Sequence, residues 1–115
     1  MLNKILFIGA MSCALNASAG DIAFGKVVGT KVYDFSNNKA IKVYFEKGSQ
    51  LWTPGCSENG RPFGTITYSQ KSDQAVNHMF STIIAAQMSG KKIRIFSQAE
   101  NSCEVDFVGL QESYY

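Results

Sequence analysis

The chain has 115 residues, 45% of them hydrophobic, with 11 basic and 9 acidic side chains, one histidine and a net charge of +2. So small a positive excess excludes a surface built to neutralise many phosphates, and it provides no polybasic membrane anchor. The apolar content suffices for one packed domain, although a core of this size gives thin stability on its own.

The chain opens MLNKILFIGAMSCALNASAG. Lys4 precedes an apolar run from Ile5 to Leu15, and Ala17-Ser18-Ala19 is a small-x-small cleavage signal. Residues 1–19 therefore read as an export signal and residues 20–115 as a single domain, placed in the periplasm or outside the cell. The apolar run is too short to span a bilayer; a buried terminal strand or helix is the alternative reading. Cys13 lies inside the signal, and Ala10-Met11-Ser12 before it lacks the leucine of a lipoprotein signal. Removing the signal leaves Cys56 and Cys103, and an even count in a small exported domain predicts a disulfide. Constraining so long a loop contributes roughly 4 kcal/mol in the chain-entropy account. Metal binding is the competing use of these cysteines, but there is no CxxC pair and His78 is the one histidine. Without Lys4 the 11 basic residues become 10 against 9 acidic, a net charge near +1, so nucleic acid is not an expected partner.

Residues 22–35, IAFGKVVGTKVYDF, favour strand through Val27, Val28, Val32 and Tyr33, with Gly25 and Gly29 marking bends or bulges. Ser36 to Lys39 is a turn. From Ala40 to Glu46 the pattern alternates: Ile41, Val43 and Phe45 point one way, Lys42, Tyr44 and Glu46 the other. The two runs predict a hairpin. After a turn at residues 47–50 comes LWTPGCSENGRP, the least regular stretch, with turn dipeptides Pro54-Gly55 and Asn59-Gly60. Residues 63–69 read as a short strand.

Ser72 or Asp73 then caps a helix that Gly90 terminates. Val76, Met79, Phe80, Ile83 and Ile84 form its apolar stripe. The opposite face carries His78, Ser81, Thr82, Ala85 and Ser89, and no charged residue stands between Asp73 and Lys91. A wet helix face is normally charged, so this one reads as a contact for another protein surface. Gln87 falls near the stripe, bonding either a carbonyl at the helix end or a neighbouring subunit. Residues 91–97 alternate again, and Cys103, Val105 and Phe107 share one face of a last strand, with Arg94 and Asp106 as a cross-strand pair.

The fold class is mainly β with one helix (α+β), in the order β-β-β-α-β-β. That order predicts a five-stranded OB-like barrel, with an open sheet carrying the helix on one face as the competing architecture.

From Trp52 onward the chain resembles small secreted OB-fold proteins that include the B subunits of subtilase-cytotoxin-like and typhoid-toxin-like toxins. The features that carry the resemblance are Cys56, a strand ending near Tyr68, the long uncharged helix running into Ser89-Gly90-Lys91-Lys92, the strand IRIF, and Cys103. The resemblance implies a ring of five subunits with helices lining the centre, outer faces that bind sialylated glycans, and a separate catalytic A subunit. It covers the latter half of the chain and transfers no sugar-binding residue.

Paired carboxylates, a phosphate loop and a nucleophile elbow around Ser81 are all missing from the sequence, so no enzyme activity and no cofactor are expected. Lys91, Lys92 and Arg94 read as answering the helix dipole and solvating a strand, with an anion site as the alternative. Trp52 either packs over the disulfide or offers a flat face to a sugar ring, with Asn59 and Arg61 as hydrogen-bond donors. The expected protein is an exported binding module, a homo-oligomer with a pentamer preferred, joined through His78, Ser81, Thr82, Ala85 and Ser89. The alternative is a monomeric periplasmic adaptor or inhibitor of an envelope protein.

Overall fold

A computed structural model describes residues 20–113, so the expected export signal over residues 1–19 lies outside the described residues. Seven strands form one antiparallel sheet: β1 (Gly20–Phe35), β2 (Asn38–Phe45), β3 (Gln50–Leu51), β4 (Ser57–Glu58), β5 (Arg61–Thr67), β6 (Lys92–Ser97) and β7 (Phe107–Leu110). A single 3-10 turn, Tyr68–Gln70, leads into helix α1 (Asp73–Ser89). The sheet order is β4-β5-β2-β1-β6-β7, and β3 pairs with β1 beside that path.

β1 is long enough to serve two long ladders besides its short pairing with β3. Its first part pairs with β6, from Gly20 opposite Ser97 to Lys26 opposite Lys92, and its second part pairs with β2 as far as Phe35 opposite Asn38. The register shifts between Val27 and Gly29, where the strand passes from one partner to the other. Such a bulge bends the strand, so both halves wrap the same core. Gly25 sits at a close approach: a Cβ there would lie 2.3 Å from Ser49 Oγ.

The large aliphatic and aromatic side chains that are fully buried are Ile22, Val43, Phe45, Ile66, Ile83, Ile93, Ile95 and Val105, drawn from the sheet, the helix and the segment before β7. Gly64 makes room for them, since a Cβ at that position would meet Ile95 Cδ1 at 2.6 Å and Val105 Cγ2 at 2.7 Å. Two buried polar residues are satisfied. Thr53 Oγ1 donates to the Asp21 carbonyl at 2.8 Å, and Ser97 Oγ accepts from the Ala99 amide at 3.1 Å.

The helix takes the limits its capping residues dictate. Ser72 Oγ accepts from the Ala75 amide at 3.1 Å, and Gly90 closes the helix in the left-handed region at φ 72°. Val76 and Ile83 are buried, and Met79 and Phe80 pack against the core. Ala86 joins the buried set on the same side.

The five longer strands and the helix follow the predicted order, but the expected five-stranded barrel does not form. The irregular stretch supplies two extra two-residue strands, β3 and β4, and the sheet stays open. Where β5 meets the segment ahead of β7 there is one parallel bridge, Thr65 with Glu104. The Thr65 amide donates to the Cys103 carbonyl and the Val105 amide donates to the Thr65 carbonyl, each at 2.8 Å. A parallel ladder would continue through the next alternate amide of β5, that of Thr67. That amide instead donates to Glu104 Oε2 at 2.9 Å, so a side chain takes the place of the next rung. The last strand accordingly begins at Phe107, later than its alternation suggests. The predicted Arg94–Asp106 pair is also replaced: Arg94 Nε pairs with Asp21 at 2.7 Å, while Asp106 Oδ2 accepts from the Gln98 amide at 2.9 Å.

The same corner carries the predicted disulfide, Cys56–Cys103, with Cα atoms 5.6 Å apart and the two cysteines 47 positions apart in sequence. Beside it Lys71 pairs with Glu104 and lies 3.5 Å from Asp106, with the lysine side chain only 6% exposed. Thr67 Oγ1 donates a further hydrogen bond to Glu104 at 2.6 Å.

Three outcomes check this account. Reducing the disulfide lowers unfolding free energy by about 4 kcal/mol in urea titrations. Glu104→Ala leaves a nearly buried ammonium with half its partners and lowers it by about 3 kcal/mol in the same measurement. Gly64→Ala overpacks Ile95 and Val105 and lowers it by about 2 kcal/mol.

Candidate functional site

Two surfaces stand out, and they differ in chemistry. The first is the outward face of α1. His78, Ser81, Ala85 and Ser89 are exposed and Thr82 is half-buried. Thr82 Oγ1 donates to the His78 carbonyl at 3.0 Å, and Ser89 Oγ donates to the Ala85 carbonyl at 2.8 Å. These hydroxyls are satisfied within their own helix, so drying this face costs less than drying free hydroxyls would. Met88 is 82% exposed near the end of the same helix. Gln87 turns the other way and accepts a hydrogen bond from Thr30 Oγ1 at 2.9 Å, which ties the helix to β1.

The second surface is a cleft of about 420 Å3 whose lining includes Thr30, Lys31, Tyr44, Glu58, Asn59 and Arg61. Its rim is built by the short β4–β5 hairpin. Asn59 and Gly60 both have positive φ, 54° and 80°, which suits a two-residue turn whose twist matches its strands. The turn sets Glu58 opposite Arg61. The floor comes from the alternation of β2, which places Lys42 and Tyr44 on one face, with Lys31 directly across from Lys42 on β1.

Like charges facing each other across a ladder are unfavourable. Tyr44 and Glu58 offset that repulsion. The Tyr44 ring lies 5.1 Å from Lys31 Nζ and 5.6 Å from Lys42 Nζ. Lys42 also sits 4.5 Å over the Phe63 ring. Glu58 Oε1 accepts from Tyr44 Oη at 2.9 Å and from Lys42 Nζ at 3.3 Å. These donors hold the Glu58 carboxyl below its ordinary value, the tyrosine hydrogen bond contributing most. Burial lifts the Tyr44 phenol above its usual range, and its bond to Glu58 adds to the rise. Burial lowers Lys42, but its hydrogen bonds to Glu58 and Tyr44 outweigh that effect and the net shift is upward.

Asn59 and Arg61 therefore come together as sequence suggests, but Trp52 is not in the cleft lining. Trp52 follows β3, its amide donates to the Ile22 carbonyl at 2.9 Å, and it is 41% exposed. Tyr44 is the aromatic ring of the cleft. Lys31, Tyr44 and Glu58 escape a sequence reading because they lie on three different strands. Their one visible signal is the outward half of the 40–46 alternation facing the Asn59-Gly60 turn.

Among the described residues no group of three or more His, Cys, Asp or Glu side chains is placed to hold a metal ion. Among them, too, no helix is long and apolar enough to cross a membrane. No family model, curated protein or solved structure matches the chain.

The Tyr44–Glu58 bond has a titration signature. A carboxyl with a depressed pKa in the folded state contributes stability above its unfolded pKa and loses it as pH falls through the folded value. NMR titration therefore finds Glu58 below the unperturbed glutamate value of about 4.3, and Tyr44→Phe moves it upward toward that value.

Proposed function

We propose that this chain is an exported, non-catalytic binding module that assembles with copies of itself through the uncharged face of α1, with a pentamer as the preferred state. The observation that carries this reading is the exposed helix face, which has no charged side chain between Asp73 and Lys91 and whose hydroxyls at Thr82 and Ser89 are already bonded. A surface of this kind gains little from water and loses little on contact with protein. The Cys56–Cys103 disulfide is compatible with an oxidising compartment outside the cytoplasm.

In this reading the sheet is a variant of the OB-like barrel. Support comes from the order of the longer strands, from α1 lying between β5 and β6, and from the parallel contact of β5 with the segment before β7. The ligand is a glycan on a cell surface, and a separate catalytic subunit is the natural companion of such a ring. A monomeric adaptor would have the same helix face covered by a different protein.

Light scattering on the disulfide-bonded protein tests the assembly. The expected result is an oligomer at micromolar concentration that Ala85→Glu converts to monomers, because a carboxylate buried at a protein contact without a partner is costly. A wild-type monomer, or an assembly indifferent to Ala85→Glu, overturns the helix contact. A stoichiometric hetero-partner recovered from the cell envelope favours the adaptor.

A further inference from the structure

We propose that the cleft between β1, β2 and the β4–β5 hairpin binds a hydroxylated organic anion, with Arg61 and Lys31 holding the acidic group and Glu58 accepting from a hydroxyl. The proposal rests on the reading of the chain as a glycan-binding module and specifies the chemistry of that ligand.

The charge balance of the cleft points to the anion. Two cations, Lys31 and Arg61, line the cleft with one carboxylate, Glu58. Lys42 and Glu58 neutralise each other through their 3.3 Å contact. Lys31 and Arg61 are left, and neither has an ion-pair partner among the described residues. Two unneutralised cations within one concave surface raise the local concentration of anions. The guanidinium of Arg61 presents a planar fork of donors that matches a carboxylate or phosphate, and Lys31 adds a point charge beside it.

The hydroxyl side of the ligand follows from Glu58. Both of its hydrogen bonds fall on Oε1, which fixes the carboxylate in place and leaves Oε2 to accept. Asn59 adds an amide with both donor and acceptor capacity at the same rim. A volume of about 420 Å3 lies within the range of small-molecule clefts and takes a single sugar-sized molecule. Preorganisation is built in. The Asn59-Gly60 turn, the Tyr44–Glu58 hydrogen bond and the stacking of Lys42 on Phe63 hold the polar groups before any ligand arrives.

The test is a titration of isotope-labelled protein followed by amide chemical shifts, with three probes: D-glucuronate, D-glucose 6-phosphate and D-glucose. The expected result is shifts at residues 28–31 and 58–61 for both acids, with glucose at least tenfold weaker, and acid binding that weakens as salt is raised. The two acids separate carboxylate from phosphate preference. Arg61→Gln reduces the acids to the level of glucose. Glu58→Gln weakens the acids and glucose alike. Unchanged amide positions elsewhere show that each variant is folded. Equal binding of glucose and both acids overturns the anion assignment and leaves the glycan reading standing. Shifts outside the cleft overturn the location. No shift with any probe removes both the anion site and the glycan reading, while the assembly, read by light scattering, is judged separately.

Discussion

The fold depends on how residues 103–106 are fastened to the end of β5. Two backbone hydrogen bonds, a disulfide, and the Glu104 carboxylate shared between Thr67 and Lys71 all act within a few residues of one another. They join the two ends of a sheet whose ladder otherwise stays open. Val105, carried on that segment, is fully buried against the core that Gly64 leaves space for. A small domain has little apolar area to hold its margins together, so a covalent link and a buried ion pair at the seam carry a large share of the burden. Lys71 also ties the segment between β5 and α1 to the same seam.

That seam separates two surfaces with opposite relations to water. The outward face of α1 has few groups that need solvation, because it carries no charge and the hydroxyls of Thr82 and Ser89 close on their own backbone. The cleft beside the β4–β5 hairpin does the reverse, since it gathers Lys31, Glu58 and Arg61 around the Tyr44 ring. The proposed assembly and the proposed ligand would each use one of these surfaces. Both surfaces sit on regular elements, which keeps them rigid relative to the core.

Much of the local structure was legible because it depends on neighbours in sequence. Ser72 and Gly90 set the helix limits, since a cap and a positive-φ stop act over three or four residues. The alternation at Ile41, Val43 and Phe45 identified the buried side of β2. The cleft was half legible: Asn59 and Arg61 are visible in sequence as polar residues on a turn, whereas Trp52 reads either as packing over the disulfide or as their aromatic companion. The ring that joins them is Tyr44, fourteen positions from Glu58, and only strand pairing brings it there. The barrel expectation failed for a comparable reason. Alternation marks which side chains face inward, but it does not reveal that Glu104 will capture the Thr67 amide and end the ladder after one rung.

The amino-acid sequence by itself determined the helix and its uncharged face, the pairing of Cys56 with Cys103, and the in-and-out pattern of the main strands. Each of these follows from spacing, composition or cysteine count. The tertiary structure alone decided the open seven-stranded sheet, the Lys71–Glu104 lock and the partners within the cleft. Those depend on side chains from distant strands meeting at hydrogen-bond distance, and such meetings are set by register and bulges across the whole sheet instead of by any local preference.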